Sequence, residues 1–242
     1  DKISTIVTAK MSPNLFVLHG SEGLDPAHPE ASGGRAMVLF GADGVLMVDT
    51  ENRQVAEKTL KTIRSFTDAP IKVVVNTHIH SDHTGANAFF GRQGAMIFAQ
   101  ENLRSQMLRP PARANGQPAP GPDMAGVPMA TYAYNPTAPG QPALTFNMNG
   151  ETVDFIPMMP SHTAGDTVVR FRKANVIYIE DFYRNFGYPF ADQTNGGTIK
   201  GMLDAVDLFD KIAGPETTLV PGHGTFVKKK DLLTYRAMLV DI

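Results

Sequence analysis

The stretch Thr77-His78-Ile79-His80-Ser81-Asp82-His83-Thr84-Gly85 sets three imidazoles and a carboxylate within nine consecutive positions. The apolar run before it, Val73-Val74-Val75, reads as a buried strand. Extended backbone continuing from that strand turns His78 and His80 to the same side. A turn at Ser81 then presents Asp82 and His83 in another direction, and Thr84-Gly85 opens a helix. Neutral imidazole nitrogens and a carboxylate suit zinc, and also iron or manganese. Four donors this close cannot all reach one ion without strain, so two neighbouring ions are expected. The plainer alternative is a polar turn whose histidines cap a helix or bond to backbone. A single histidine is often structural; a packed trio with an aspartate rarely is.

The 242-residue chain contains no cysteine, which excludes disulfides, thiolate nucleophiles, iron-sulfur clusters and cysteine-ligated zinc. Any metal must therefore be held by His, Asp and Glu. The remaining candidates fall at the ends of expected strands: His162, Asp181 and His223 follow apolar runs at 152–156, 176–179 and 217–220. Loops on one edge of a layered sheet converge, which is where sites are assembled. The glycines of Pro221-Gly222-His223-Gly224 let backbone turn tightly around the histidine.

Outside these stretches the pattern is strand-rich at first, with strands expected at 3–7, 15–19, 36–40 and 45–49. An amphipathic helix over 52–66 follows, then the strand at 73–75, a short helix near 86–90, a strand at 96–99 and a helix over 100–108. Between 109 and 142 the composition shifts to Pro, Ala and Gly, which disfavours helix and central strand. That segment is read as a substrate lid or a plain covering loop. Strands return at 152–156, 167–171 and 176–179; a helix capped by Thr198, a strand at 217–220 and a helix from Asp231 close the chain. Such an order suits two sheets packed face to face with helices outside.

Four stretches, Thr77 to Gly85, Ser161-His162-Thr163-Ala164-Gly165-Asp166, Tyr178-Ile179-Glu180-Asp181 and Pro221-Gly222-His223-Gly224, resemble in their order the metallo-β-lactamase fold hydrolases. The resemblance implies an α/β fold, a four-layer αββα sandwich of two mixed sheets with helices on the outer faces, occupying residues 1–242 as one domain. It implies that His78, His80 and His162 hold one zinc, that Asp82, His83 and His223 hold the other, and that Asp181 bridges them. A bridging Asp is similar to the glyoxalase II and lactonase branches. The best-known β-lactamase branch supplies a cysteine instead, but a cysteine-free subclass uses the His83 position. Glu180 stands where many relatives carry Gly. Asp49 matches an aspartate near the metals in relatives, where a carboxylate would fix a ligand imidazole's tautomer; a strand-end turn residue is the equal alternative. His19 and His28 have no convergent neighbours in sequence and read as surface or satisfied core groups.

Two dications against two carboxylates leave a net positive pocket, in which a hydroxide forms near neutral pH. The expected chemistry is attack of that hydroxide on a cyclic amide, ester or related acyl carbonyl, with Asp82 orienting its proton as well as ligating. Residues 182–192 carry aromatic walls and one arginine, so Tyr183, Tyr188 and Arg184 are the candidate substrate contacts, Arg184 pairing with a carboxylate; the plainer alternative, slightly favoured, is that the aromatics pack the loop against the sheet and Arg184 is solvated. A mononuclear iron enzyme acting on persulfides resembles the same motif set, and a phosphodiesterase is chemically open. The formal net charge of -2 and 19% charged residues provide no basic groove for nucleic acid. No apolar stretch approaches the roughly 18 residues that span a bilayer. The expected partner is a small molecule, with neither nucleic acid nor membrane. The sequence opens at Asp1 rather than Met, compatible with a removed secretory signal and a periplasmic or secreted location.

Overall fold

The computed structural model describes residues 7–19, 34–109 and 120–242. His28 and residues 110–119 of the proline-rich segment lie outside them. The chain begins with an antiparallel meander, β1 (Val7–Ser12), β2 (Leu15–His19), β3 (Ala36–Gly41) and β4 (Gly44–Val48). The strand expected at 3–7 lies, except for Val7, outside the described residues; within β1, Thr8, Ala9 and Lys10 pair with Leu18, Val17 and Phe16. Gly44, at φ +109°, closes the two-residue β3–β4 turn. Parallel strands then extend this sheet: β5 (Ile71–Val75), β6 (Met96–Gln100) and β7 (Ala130–Tyr132).

The second sheet has the order β12-β11-β10-β9-β8, from β8 (Leu144–Met148), β9 (Glu151–Pro157), β10 (Thr167–Phe171), β11 (Val176–Glu180) and β12 (Thr218–Pro221). Two of these strands depart from the sequence reading. β7 arises inside the proline-rich segment, at the sheet edge, where a short strand needs ladder bonds on one side only. β8 lies just past the proline-rich segment, where no strand is expected, yet Leu144, Phe146 and Met148 alternate with exposed Thr145 and Asn147. Its local signal is the Asn149-Gly150 pair, both in the left-handed region at φ +55° and +77°, which forms the hairpin turn into β9.

Period-two alternation sorts each strand's side chains into two layers. Met37, Leu39, Leu46, Val48, Val73 and Val75 of the first sheet meet Val153, Phe155, Val169, Phe171 and Tyr178 of the second in a central buried cluster. On the other face of the first sheet, Val38, Met47 and Val74 pack with Ala56 and Ile63 of α1 (Ala56–Arg64) and with Phe90 of α3 (Asn87–Gly91). On the other face of the second, Ile156, Val168, Ile177 and Ile179 pack with α5 (Ile199–Ile212) and α6 (Leu232–Val240). The result is the αββα sandwich that the strand order implied. Thr198 caps α5 as expected, its hydroxyl accepting from the Gly201 N–H at 2.9 Å. Among the described residues no helix is long and apolar enough to cross a membrane.

Candidate metal centre

The strand directions decide where the polar residues meet. β4 runs parallel to β5 and β11 to β12, while β9 shares the direction of β11 because both are antiparallel to β10. Carboxyl ends therefore gather at one edge of each sheet. Asp49 follows β4, His78 to His83 follow β5, His162 follows β9, Asp181 follows β11 and His223 follows β12. Cross-sheet backbone bonds fix these loops, among them Thr167 N–H to Thr77 O at 2.8 Å and Arg35 N–H to Gly222 O at 3.0 Å, and Gly34 N–H to Asp82 O at 2.9 Å ties down the first sheet's own loop. The histidine stretch itself turns through the short helix α2 (Ser81–Thr84).

Two groups result, His78, His80, His162 and Asp181 in one, Asp82, His83 and His223 in the other, the donor atoms of each lying within 4.8 Å of one another. In the first, His162 Nε2 lies 3.1 Å from His80 Nδ1. Asp181 Oδ2 is 3.6 Å from His162 Nε2 and 3.9 Å from His78 Nε2. In the second, Asp82 Oδ2 is 3.0 Å from His223 Nε2 and 3.7 Å from His83 Nε2. Asp181 stands between the groups, its Oδ1 3.4 Å from His83 Nε2 and its Oδ2 3.5 Å from His223 Nε2. The seven side chains singled out in the sequence are all brought together.

These residues fit metal ions better than they fit each other. His78 Nε2, His83 Nε2 and Asp181 Oδ1 are buried with no hydrogen-bond partner, a costly arrangement for polar atoms and one that a cation at their meeting point relieves. Imidazole nitrogen and carboxylate oxygen are the donors that zinc takes. The electrostatics point the same way. Burial opposes a charge on His83, yet the Asp181, Asp82 and Asp49 carboxylates pull its pKa well above the ordinary histidine range. Burial likewise opposes ionisation of Asp82, but His83 and His223 hold it down at about 2. By contrast, His162 is pushed down to about 4, chiefly by burial, and His78 well below its usual value for the same reason. Both are thus neutral near pH 7, the form in which histidine ligates.

Outer atoms of four of these histidines are tied down, as metal-binding imidazoles require. His83 Nδ1 faces Asp49 Oδ2 at 2.8 Å. Asp49 also accepts from the Thr77 hydroxyl at 2.6 Å and the Thr77 N–H at 2.8 Å, so the strand-end aspartate is a buried anchor with φ +61°. His80 Nε2 meets Asp192 Oδ2 at 2.8 Å, and His162 Nδ1 donates to Phe190 O at 2.7 Å. His78 Nδ1 faces Glu180 Oε2 at 3.2 Å. The parts played by Asp192 and the Phe190 carbonyl escape sequence reasoning; Asp192 is 112 positions from His80 and belongs to no motif. Close backbone approach completes the cage. A Cβ at Gly222 would stand 2.0 Å from Asp181 Oδ1, and one at Gly34 would stand 2.1 Å from His83 Nε2.

The loop after Asp181 forms the rim. The Arg184 guanidinium lies 5.4 Å from the Phe186 ring and 5.6 Å from the Phe190 ring, and Phe190 stacks over His80 at 6.2 Å. Tyr188 is 78% exposed. Tyr183 turns the other way, its ring 5.1 Å from Tyr235 of α6, so the substrate contact expected of it has no support in its position. His19 has contacts within the fold.

A sandwich of this topology with this cluster at its edge defines a class of metal-binding hydrolase folds. The Metallo-beta-lactamase superfamily model matches residues 30–227, and the chain belongs to that family. Among solved structures, a metallo-beta-lactamase from Pontibacter korlensis superposes with a TM-score of 0.75 at 18% identity, over 98% of this chain and 100% of that one. FIM-1, a metallo-beta-lactamase from Pseudomonas aeruginosa in a mono-zinc form, gives 0.72 at 14% identity, over 100% and 97%. A curated relative, a linear primary-alkylsulfatase from a Pseudomonas species, is 38% identical over 78 residues, 29% of this chain. The match spans 15% of that relative's length.

Proposed function

We propose that the chain, working as one domain, is a two-metal hydrolase of a small acyl substrate, a cyclic amide or ester bearing an anionic group. The observation that carries the reading is the position of Asp181, whose two oxygens face histidines of both groups within 3.9 Å. His78, His80 and His162 would hold one zinc, Asp82, His83 and His223 the other, with Asp181 shared. Zinc bound there would bring the pKa of water down to about 7 and polarise a carbonyl. Asp82, 30% exposed at its side chain against 5% for Asp181, is the more accessible of the two carboxylates and would orient the proton of the attacking water. Arg184, held between Phe186 and Phe190, pairs with the substrate's anionic group. Tyr188 supplies an apolar wall beside it.

The alkylsulfatase match favours a second reading, hydrolysis of a sulfate ester, on the same residues. Assays of metal-replete and chelated protein separate the readings. The substrates are a chromogenic β-lactam, a homoserine lactone, a glutathione thioester, a phosphodiester and an alkyl sulfate. Chelator-sensitive turnover of the lactam or lactone supports the acyl reading. Turnover confined to the alkyl sulfate or the phosphodiester overturns it. Metal analysis on the same sample is expected to find two zinc ions per chain, whereas one iron with oxygen consumption would establish the persulfide-oxidising alternative.

A further inference from the structure

Position 180 breaks two local rules at once. It is a non-glycine residue at φ +42°, in the left-handed region that L side chains enter at a cost, and its carboxyl group is fully buried. The backbone turns there because the pairing of β11 with β12 slips between Tyr178 and Glu180, which delivers Asp181 to the metal cluster. Glycine would make the turn without strain. A glutamate kept at such a point has a task that glycine lacks.

The contacts of its Oε2 identify the task. That oxygen accepts from the Asp181 N–H at 2.5 Å and faces His78 Nδ1 at 3.2 Å. The Thr77 hydroxyl, 3.1 Å from the same ring nitrogen, gives its own proton to Asp49 at 2.6 Å. Both neighbours of His78 Nδ1 are therefore acceptors, which places the ring proton on Nδ1 and leaves the Nε2 lone pair, otherwise unpartnered, pointing at the first group of donors. Oε2 serves as an acceptor whether or not Oε1 carries a proton.

We propose that Glu180 is a positioning residue for the first metal: through one oxygen it fixes the His78 tautomer and the Asp181 backbone together, so that two ligands are set by a single side chain. This rests on the metal reading of the site. Oxygen is the acceptor that matters, so glutamine at this position preserves the function and glycine abolishes it while relieving the backbone.

The test is titration with zinc and cobalt(II) against a competing chelator, for the wild type, Glu180→Gly and Glu180→Gln, alongside thermal melting of the metal-free proteins. Glu180→Gly is expected to bind the first metal roughly 10–100-fold more weakly, the range for loss of an outer partner, while its metal-free form melts no lower than the wild type. Glu180→Gln is expected to stay within about threefold of the wild type, the amide oxygen taking over the acceptor's place. Nitrogen-15 spectra of the wild type should show His78 protonated at Nδ1, a readout that needs no variant to fold. Glycine binding as tightly as glutamate, glutamine failing as badly as glycine, or His78 protonated at Nε2 would each overturn the proposal. A wild type that binds neither metal would instead remove the metal reading itself, and this inference with it.

Discussion

The two halves of the candidate centre are built by different means. Around His78, His80 and His162, order comes from side-chain and carbonyl acceptors: Glu180, Asp192 and the Phe190 oxygen each take one ring nitrogen. Around Asp82, His83 and His223, one such anchor appears, Asp49 on His83, and the rest is backbone pressed close. Gly34 lies against the His83 ring and Gly222 against Asp181. The neighbouring Arg35 bonds through its N–H to Gly222 O at 3.0 Å and through its guanidinium to Pro221 O at 2.8 Å and to Gly224 O. Exposure does not follow this division: His78, His162 and His83 are fully buried, whereas His80, His223 and Asp82 are 21%, 19% and 30% exposed at their side chains. A half preorganised by fixed acceptors should fill first and release last; one with fewer such anchors should exchange more readily.

The most severe way to break this contrast is to remove what the halves share. Asp181→Ala should abolish tight binding in both and lower turnover by more than the roughly 100-fold that bounds the loss of an outer partner; metal content after dialysis measures it. Gly34→Ala comes next, since its Cβ would stand 2.1 Å from a ring that cannot retreat. It should empty the second half while leaving the first within a few fold, and a single remaining metal per chain is the expected count. Asp192→Ala, which removes the acceptor on His80 Nε2, should do the reverse, weakening the first half about 10-fold, the lower end of the range for an outer partner. Equal losses in both halves for either variant would mean that the division is false.

The smallest effect is on stability. Glu51, buried beside α1 and accepting from the Thr59 hydroxyl at 2.5 Å, is pushed up to about 8 by burial. A carboxyl raised in the folded state supports folding below its unfolded pKa and loses that support as pH rises from about 4.5 toward 8. Glu51→Gln keeps the acceptor without the charge. Its melting temperature should therefore exceed the wild type's by at least about 2–4 °C at pH 8, the shift that 1 kcal/mol produces in a chain this long. The gain should shrink toward pH 5, and a constant difference across that range would refute it.

What could be read from the sequence followed the reach of its signals. His78 to His83 is legible because its donors are consecutive and follow an apolar strand. His162, Asp181 and His223 are legible because each terminates one. The sandwich is legible from the order of strands and helices, whereas the uniformly apolar run from Ala36 to Phe40 does not tell its two faces apart. Asp192 and the Phe190 carbonyl were invisible, since nothing local distinguishes an aspartate aimed at a histidine from one in a turn. Tyr183 was a candidate for the substrate wall because it follows Asp181 closely, and the structure turns it toward Tyr235, in line with the alternative that the loop's aromatics serve packing. Strand β8 was missed although Leu144, Phe146 and Met148 alternate with Thr145 and Asn147 and the Asn149-Gly150 turn follows, because it adjoins the proline-rich segment.

Each half of the centre draws donors from both sheets: His78, His80, Asp82 and His83 hang from the first, His162, Asp181 and His223 from the second. An ion in either place would act as a rivet through the sandwich. Resistance to unfolding would then climb by about 1.4 kcal/mol for each tenfold excess of free metal over its dissociation constant, and chelation would loosen the seam between the layers before it touched either layer alone.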